Sequence, residues 1–429
     1  ARERSVPLAY IDPGSGYVIV SGFGYILAIA AAFFGAILWR LKQIIAFFKR
    51  RPVLGITLAI AVPAGVAGAF LWPMLFPKYP HKPVDHRVVI LAFDGMSPQV
   101  LEPLMAAGKM PNMSALATRG GYARLATTNP AQTPVAFTSF ATGKNPGAHG
   151  LFDFIRRDPA LVGHPEKPAL SLACSNIDGG KALAVVTQPR LWNIATDFGM
   201  ESVILNFPVT FPPDKIKGRM LSGMGVTDIL GTEGTFTFFT SAPSGLEDTG
   251  GRVEQVALQT RYDDLALFGP QQKTSAGVEN IRVKFSAALD QAKDQVTITL
   301  PGNEPFTLKQ GEWSAWKKVS FPLGFMRAMK GIVKFYLVEA NPEFKLYISP
   351  INYDPGAPYG DLPISYPAGY AKELAKKLGT FYTQGIPYDT WAVNEHRLTE
   401  KPFLQNVEMV VKQNKDMLDY ELARTKTGI

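Results

Sequence analysis

The chain has 429 residues, a formal net charge of +8 and a single cysteine, Cys174. One cysteine excludes an intrachain disulfide and any cysteine-based zinc finger or CxxC redox site. Five of the eight excess positive charges lie between residues 39 and 52, which leaves +3 for the rest of the chain. The basic balance is therefore local, and it does not indicate a nucleic-acid-binding surface.

Two uncharged stretches stand near the start of the chain, 22 residues at 17–38 and 24 residues at 53–76. A helix rises about 1.5 Å per residue, so each stretch is long enough to cross a bilayer core. We therefore predict a two-helix transmembrane hairpin over 1–76, embedded in the lipid bilayer. Short basic loops stay in the cytoplasm, which predicts a bacterial inner-membrane protein whose soluble part faces the periplasm.

A proline-rich tether over 77–86 leads into a segment whose pattern is typical of an α/β protein. The apolar run RVVILAF at 87–93 predicts a strand buried on both faces, as in a parallel sheet. A further strand, SVILNF, is predicted at 202–207, and helices are predicted at 97–107, 112–119 and 191–198. The predicted fold class is α/β, with a doubly wound and mostly parallel sheet over 87–232.

The pattern changes after residue 232. Short β-branched or alternating segments separated by turn residues predict a β-rich inserted lobe over 233–349. The remainder, 350–429, is predicted to return to the core as helices. Its last stretch carries apolar residues at near-helical spacing, namely Leu404, Val407, Val411, Leu418 and Leu422.

Two residues of the α/β segment form a candidate site. Asp94 ends the first predicted strand, where open α/β sheets bind their ligands, and a carboxylate is a good ligand for a divalent cation. Thr133 precedes Pro134 at a predicted helix start, where backbone N–H groups can hold a phosphate. Each residue alone also fits a structural role, Asp94 in a turn and Thr133 as a helix cap.

The segments AFDGM, MPNMSALATRGG and TPVAFTSFATGKNPGAHG resemble the alkaline phosphatase superfamily. Within it they are most similar to membrane-anchored bacterial members of the type I phosphodiesterase and nucleotide pyrophosphatase branch. The resemblance implies that Asp94 is the first metal-binding aspartate. It also implies that Thr133 is the nucleophile, which ligates a metal and is transiently phosphorylated. Two zinc ions are the implied cofactors, and Asp153 lies where phosphodiesterases place an asparagine against the phosphate.

The family's remaining metal ligands are an Asp-x-x-x-His segment, an Asp-His pair and a late histidine. In the family they follow the helix that in this chain ends in LDYELARTKTGI. None of the five histidines matches them in position: His81, His86, His149, His164 and His396. We therefore expect a chain truncated before those ligands, with no cofactor bound as given and two zinc ions if the ligands are supplied.

Three interpretations remain open. The chain is a phosphodiesterase or phosphatase whose C-terminal ligands are missing from this sequence, or another chain supplies those ligands. Alternatively, it is a non-catalytic structural subunit of a larger membrane complex, respiratory or photosynthetic for example. The last is favoured because the chain ends just before the catalytic strands and its apolar stretches are rich in small residues, which suit helix packing. The expected partners are the bilayer and other membrane subunits, and not nucleic acid.

Overall fold

The computed structural model describes Arg40, Lys42 and residues 86–429, with gaps at 158–169, 174–176, 179–180, 243–249, 275–276, 325–326 and 358–361. By its contacts the chain divides into Ala1–Pro80 and His81–Ile429. The predicted spans 17–38 and 53–76 lie outside the described residues. Every element named below belongs to the second unit.

Among the helices in the described part of the chain, none is long and apolar enough to cross a membrane. The longest, Glu400–Arg424, has 25 residues, but charged side chains such as Lys412, Asp416 and Asp419 recur along it. A span must be predominantly apolar, because charged groups are costly to place in the bilayer core. This finding contradicts the predicted transmembrane hairpin and the predicted inner-membrane location.

The described helices are mostly short, and several begin with proline, which suits the first helical turn. They are α1 Pro98–Ala106, α2 Pro111–Gly120, α3 Thr133–Thr142, α4 Pro146–His149, α5 Leu191–Asp197, α6 Tyr370–Leu378, α7 Thr390–Asn394 and α8 Glu400–Arg424. The helices predicted at 97–107, 112–119 and 191–198 are thus present as α1, α2 and α5. Local periodicity and helix-start residues were enough to find them.

The described strands form six sheets. The strands are β1 Ile155–Arg157, β2 Leu170–Leu172, β3 Ile177–Asp178, β4 Lys181–Ala182, β5 Ser202–Phe207, β6 Gly218–Ser222, β7 Phe236–Thr240, β8 Gly251–Gln255, β9 Arg261–Thr274, β10 Gly277–Asp290, β11 Gln295–Thr299, β12 Phe306–Lys309, β13 Lys317–Pro322, β14 Ala328–Val333, β15 Phe335–Glu339, β16 Lys345–Ile348, β17 Asn352–Tyr353 and β18 Ser365–Tyr366. The orders are β1-β2, β3-β4, β12-β11-β10-β9, β13-β14-β17, β15-β16-β7-β8 and β18-β6-β5.

Only two of the described strand pairs are parallel, β5 with β6 and β7 with β8. The other pairs are antiparallel, including the long hairpin of β9 and β10. The predicted doubly wound, mostly parallel sheet is therefore wrong. Antiparallel partners need only a tight turn between them, and the turn-rich stretch after residue 232 supplies many such turns.

The apolar run at 88–93 is not a strand in this structure. Only its start is paired, where the N–H of Val88 donates to the carbonyl of Gly428 at 2.9 Å beside the bridge of Arg87 to Gly428. The apolar side chains that follow are exposed, from 44% for Ile90 to 63% for Phe93. The prediction of a doubly buried strand is wrong, because no described strand lies against this run on either side.

The main apolar core lies in the β-rich part of the chain. Phe321, Phe335 and Phe344 are fully buried there, and Phe335 packs edge-to-face on Phe285 at 5.7 Å between ring centroids. Side chains from α6 and α8, including Met417, complete the same cluster. Burial of this aromatic and aliphatic surface is the main force that holds the β-rich part to the C-terminal helices.

Candidate active site

The position of Thr133 is fixed by the residues that follow it. Thr133 begins α3, Gln132 before it is extended, and Pro134 favours the first turn. Pro134 and Val135 are buried, with Val135 fully inaccessible. Gly143 ends the helix in the left-handed conformation at φ +63°. Thr133 therefore lies at the positive end of an anchored ten-residue helix, where an anionic group is stabilised.

Asp94 lies in a turn that directly follows the run at 88–93. Its Oδ1 accepts a hydrogen bond from the N–H of Gly95 at 3.0 Å, and Gly95 adopts φ +65°, a conformation that glycine adopts without strain. The second oxygen, Oδ2, accepts from the Thr133 hydroxyl at 2.9 Å. The structure thus brings together two predicted site residues that are 39 positions apart.

Asp153, the third predicted site residue, makes a local contact. Its Oδ1 accepts from the N–H of Phe154 at 2.6 Å, and its side chain is exposed. It forms no hydrogen bond to Asp94 or Thr133 among the interactions of the described residues. The structure therefore gives Asp153 a turn-forming role and does not join it to the other two.

His149 is held by both of its ring nitrogens. Nε2 lies 2.9 Å from the Ser139 hydroxyl, and Nδ1 accepts from the N–H of Leu151 at 3.2 Å. Nδ1 is therefore unprotonated, and the neutral ring donates from Nε2 to Ser139. Burial lowers the pKa of His149, which favours the same neutral form. This pair was not predicted, because a hydroxyl–imidazole contact across two helices has no sequence signature.

The described residues do not complete a zinc site. Asp94 and Thr133 supply two oxygen ligands, whereas zinc in proteins is usually bound by four. In the part of the chain that the structure describes, no group of three or more histidine, cysteine, aspartate or glutamate residues is placed to hold a metal. Asp389 is not available as a ligand of this site, because its side chain accepts from the Tyr347 hydroxyl and caps α7. The two-zinc site implied by the resemblance does not fit these residues.

Residues 88–298 match the family model of type I phosphodiesterase / nucleotide pyrophosphatase. That segment is phosphodiesterase-like. The match begins six residues before Asp94, includes Thr133, and ends within β11. No curated protein and no solved structure matches the chain. This family is typically metal-dependent. In the phosphodiesterase-like segment, by contrast, the candidate metal ligands among the described residues are the two oxygens of Asp94 and Thr133.

Proposed function

We propose that the phosphodiesterase-like segment binds a phosphate ester at the N-terminal end of α3, with Thr133 as the attacking nucleophile. The observation that carries the proposal is the hydrogen bond from the Thr133 hydroxyl to Asp94. It fixes the oxygen of a hydroxyl beside a carboxylate and at the positive end of a helix. Nucleophile, orienting group and anion-binding position are the components that acyl- and phosphoryl-transfer sites combine.

The roles of the two residues follow from their contacts. The Thr133 oxygen would attack phosphorus as the P–O bond to the leaving alkoxide breaks, and the Thr133 proton would pass to that alkoxide to give the alcohol. Water would then hydrolyse the phosphothreonine to free phosphate monoester and Thr133. Asp94 orients the hydroxyl, because the hydrogen bond leaves the Thr133 lone pairs free for attack. A carboxylate is a weak base for an alcohol, so this pair is an incomplete site. The further groups needed for turnover would come from outside the described residues or from another chain.

A second candidate is a non-catalytic structural subunit. Its supporting observation is the exposed apolar run at 88–93, in which Val88, Leu91 and Phe93 are each about half or more exposed. Contiguous apolar surface of this kind marks an interaction site in soluble proteins. A protein partner would cover the run, and the chain would then contribute a surface and no chemistry.

The deciding experiment uses the full chain purified without chelators. Its zinc content is measured by elemental analysis, and its hydrolysis of bis(p-nitrophenyl) phosphate is compared with that of Thr133→Ala. Thr118→Ala is the matched control, because Thr118 is also a helical threonine and, among the described residues, its hydroxyl donates to a backbone carbonyl. Hydrolysis that Thr133→Ala abolishes and Thr118→Ala retains supports the nucleophile. Equal hydrolysis by all three proteins would contradict Thr133 as the nucleophile, and no hydrolysis together with no bound zinc would favour the structural subunit.

A further inference from the structure

A buried lysine lies far along the chain from the candidate active site. Lys334 connects β14 to β15, and only 7% of its surface is exposed. Its backbone N–H donates to the Ser349 hydroxyl at 3.0 Å, and its ammonium nitrogen Nζ donates to the carbonyl of Ser314 at 3.1 Å. The backbone and the end of the side chain are therefore both held in place.

The positive charge of Lys334 has no counter-ion among the described residues. No carboxylate oxygen lies within 4 Å of its Nζ in that part of the chain, although an ammonium has three N–H groups and the protein occupies one. Burial lowers the pKa of Lys334 to about 8, so the group stays mostly charged at neutral pH. An unpaired buried cation is unfavourable for the fold unless a ligand uses it.

Lys334 is one of the residues that line a cleft. The cleft is partly open to solvent and has a volume of about 230 Å³, which is smaller than the usual site for a drug-sized molecule. Five of the other residues that line it are aromatic or methionine: Trp316, Phe381, Tyr382, Met409 and Met417. The ring centroid of Trp316 is 4.9 Å from the Lys334 Nζ and 4.5 Å from the ring of Tyr382.

We propose that this cleft is a binding site for a small aromatic anion, an aryl carboxylate or aryl phosphate, with the anionic group on the Lys334 ammonium and the ring against Trp316. Lys334 offers two further N–H donors to the anion, and charge-assisted hydrogen bonds are the strong ones. An aromatic ring fits walls of aromatic and methionine side chains. The ligand would supply a counter-ion for Lys334, which the described residues do not provide.

The other charged groups of the cleft do not take over this role. Lys412 and Asp416 line it from α8, but they pair with each other and are more exposed. The hydroxyl of Tyr382 accepts from Asn406 and contacts the sulfur of Met409. The net charge at the cleft is therefore positive, and its buried component is Lys334.

The test is calorimetric titration of the full chain with benzoate, phenyl phosphate and the neutral benzyl alcohol. We expect both anions to bind more tightly than the alcohol. Lys334→Met should raise their dissociation constants by about tenfold or more, the size expected for a buried charged hydrogen bond. Lys330→Met is the matched control, because Lys330 is exposed on neighbouring β14 and should bind like wild type. The relative affinity of the two anions distinguishes a carboxylate from a phosphate ligand.

A second measurement does not depend on a variant. In wild type, anion binding should weaken as the pH rises past the pKa of Lys334, because the ammonium then loses its charge. Trp316→Leu should weaken the binding of phenyl phosphate and of benzoate alike. The proposal is overturned if neither anion binds at about 10 mM, a very weak limit, if benzyl alcohol binds as tightly as the anions, or if Lys334→Met binds them like wild type.

Discussion

The hydroxyl of Thr133 donates to Oδ2 of Asp94 at 2.9 Å, although 39 residues separate the two. The turn at Gly95 and the buried start of α3 fix both ends of this contact. Neither residue contributes to a core, because the contact is exposed. The pair can therefore be changed without disturbing the fold, which makes it suitable for mutagenesis.

We expect Asp94→Asn to lower any phosphodiester hydrolysis by about 100-fold, because the amide still accepts the Thr133 hydroxyl but no longer supplies a negative charge. Thermal unfolding should stay within a degree or two of wild type, since surface changes have small effects. Steady-state hydrolysis rates and a melting curve measure the two quantities. Wild-type hydrolysis by a folded Asp94→Asn protein would remove Asp94 from the site.

Breaking the ion pair of Arg190 with Asp214 should cause a large loss of stability. Both carboxylate oxygens accept from Nη1 of Arg190, at 2.8 and 2.7 Å, and the Trp192 indole donates to the same carboxylate at 2.6 Å. Both side chains are largely buried. Asp214→Asn should lower the free energy of unfolding by about 3 kcal/mol, because it leaves the Arg190 charge buried and unpaired.

Urea denaturation measures this difference. The matched control is Asp263→Asn, which breaks the exposed pair with Arg261 and should cost well under about 1 kcal/mol. Similar losses for the two variants would show that burial does not strengthen the Arg190 pair.

Asp389 predicts a pH dependence of stability. Burial is the largest cause that raises its pKa from 3.8 to about 6, against the hydrogen bond from Tyr347. The folded state therefore holds this proton more tightly than the unfolded state, so the contribution is full below pH 4 and is lost as the pH rises to 6. Two pKa units correspond to roughly 3 kcal/mol.

The expected result is a stability difference between wild type and Asp389→Asn that changes over this interval. Asparagine keeps the cap of α7 and cannot titrate. Wild type should lose stability relative to Asp389→Asn between pH 4 and 6, as measured by urea unfolding at several pH values. A difference that does not vary with pH would mean that Asp389 titrates normally.

The contribution of Lys334 to stability should change with pH in the opposite direction to that of Asp389. Burial lowers its pKa from 10.5 to about 8, so the unfolded state binds the proton more tightly and wild type gains stability as the pH rises from 8 to 10.5. At pH 7 Lys334→Met should be more stable than wild type by about 2 kcal/mol, because it removes a desolvated charge. Denaturant unfolding at pH 7 and at pH 10 should show the gain shrinking, and a destabilised variant at pH 7 would contradict it.

Gly218 is required for the parallel pair of β5 and β6. Its partner in register is Ser202, and a Cβ atom at Gly218 would lie 1.9 Å from the Ser202 carbonyl oxygen. Its φ of +135° is also unfavourable for other residues. Gly218→Ala should cost about 2 kcal/mol or more. Gly120→Ala, in open space at the end of α2, should be neutral or slightly stabilising by up to about 1 kcal/mol, and thermal melts compare the two.

Local patterns in the sequence predicted several elements correctly. Helices α1, α2 and α5 were found from helix-start residues and apolar spacing, and β5 from the run SVILNF. These signals depend on residues close together in the chain, which determine helix or strand geometry directly. The bounds of the proposed domains stay a prediction.

The same patterns failed where the outcome depends on distant partners. The run at 88–93 reads as a buried strand by composition, yet its side chains are exposed. An apolar run predicts burial only if other strands are available to cover it, and that is decided by the whole chain. The predicted parallel sheet failed for the same reason, because strand direction depends on which segments meet.

The sequence by itself determined the phosphodiesterase-like segment, the candidate residues Asp94 and Thr133, and the elements α1, α2, α5 and β5. Each of these can be recognised from a contiguous motif in the sequence. Only the tertiary structure decided that the Thr133 hydroxyl bonds to Asp94, that Asp153 stays apart from them, and that Lys334 is buried at a cleft. Those relationships join residues distant in the chain, and long-range packing and burial, which no local pattern encodes, bring them together.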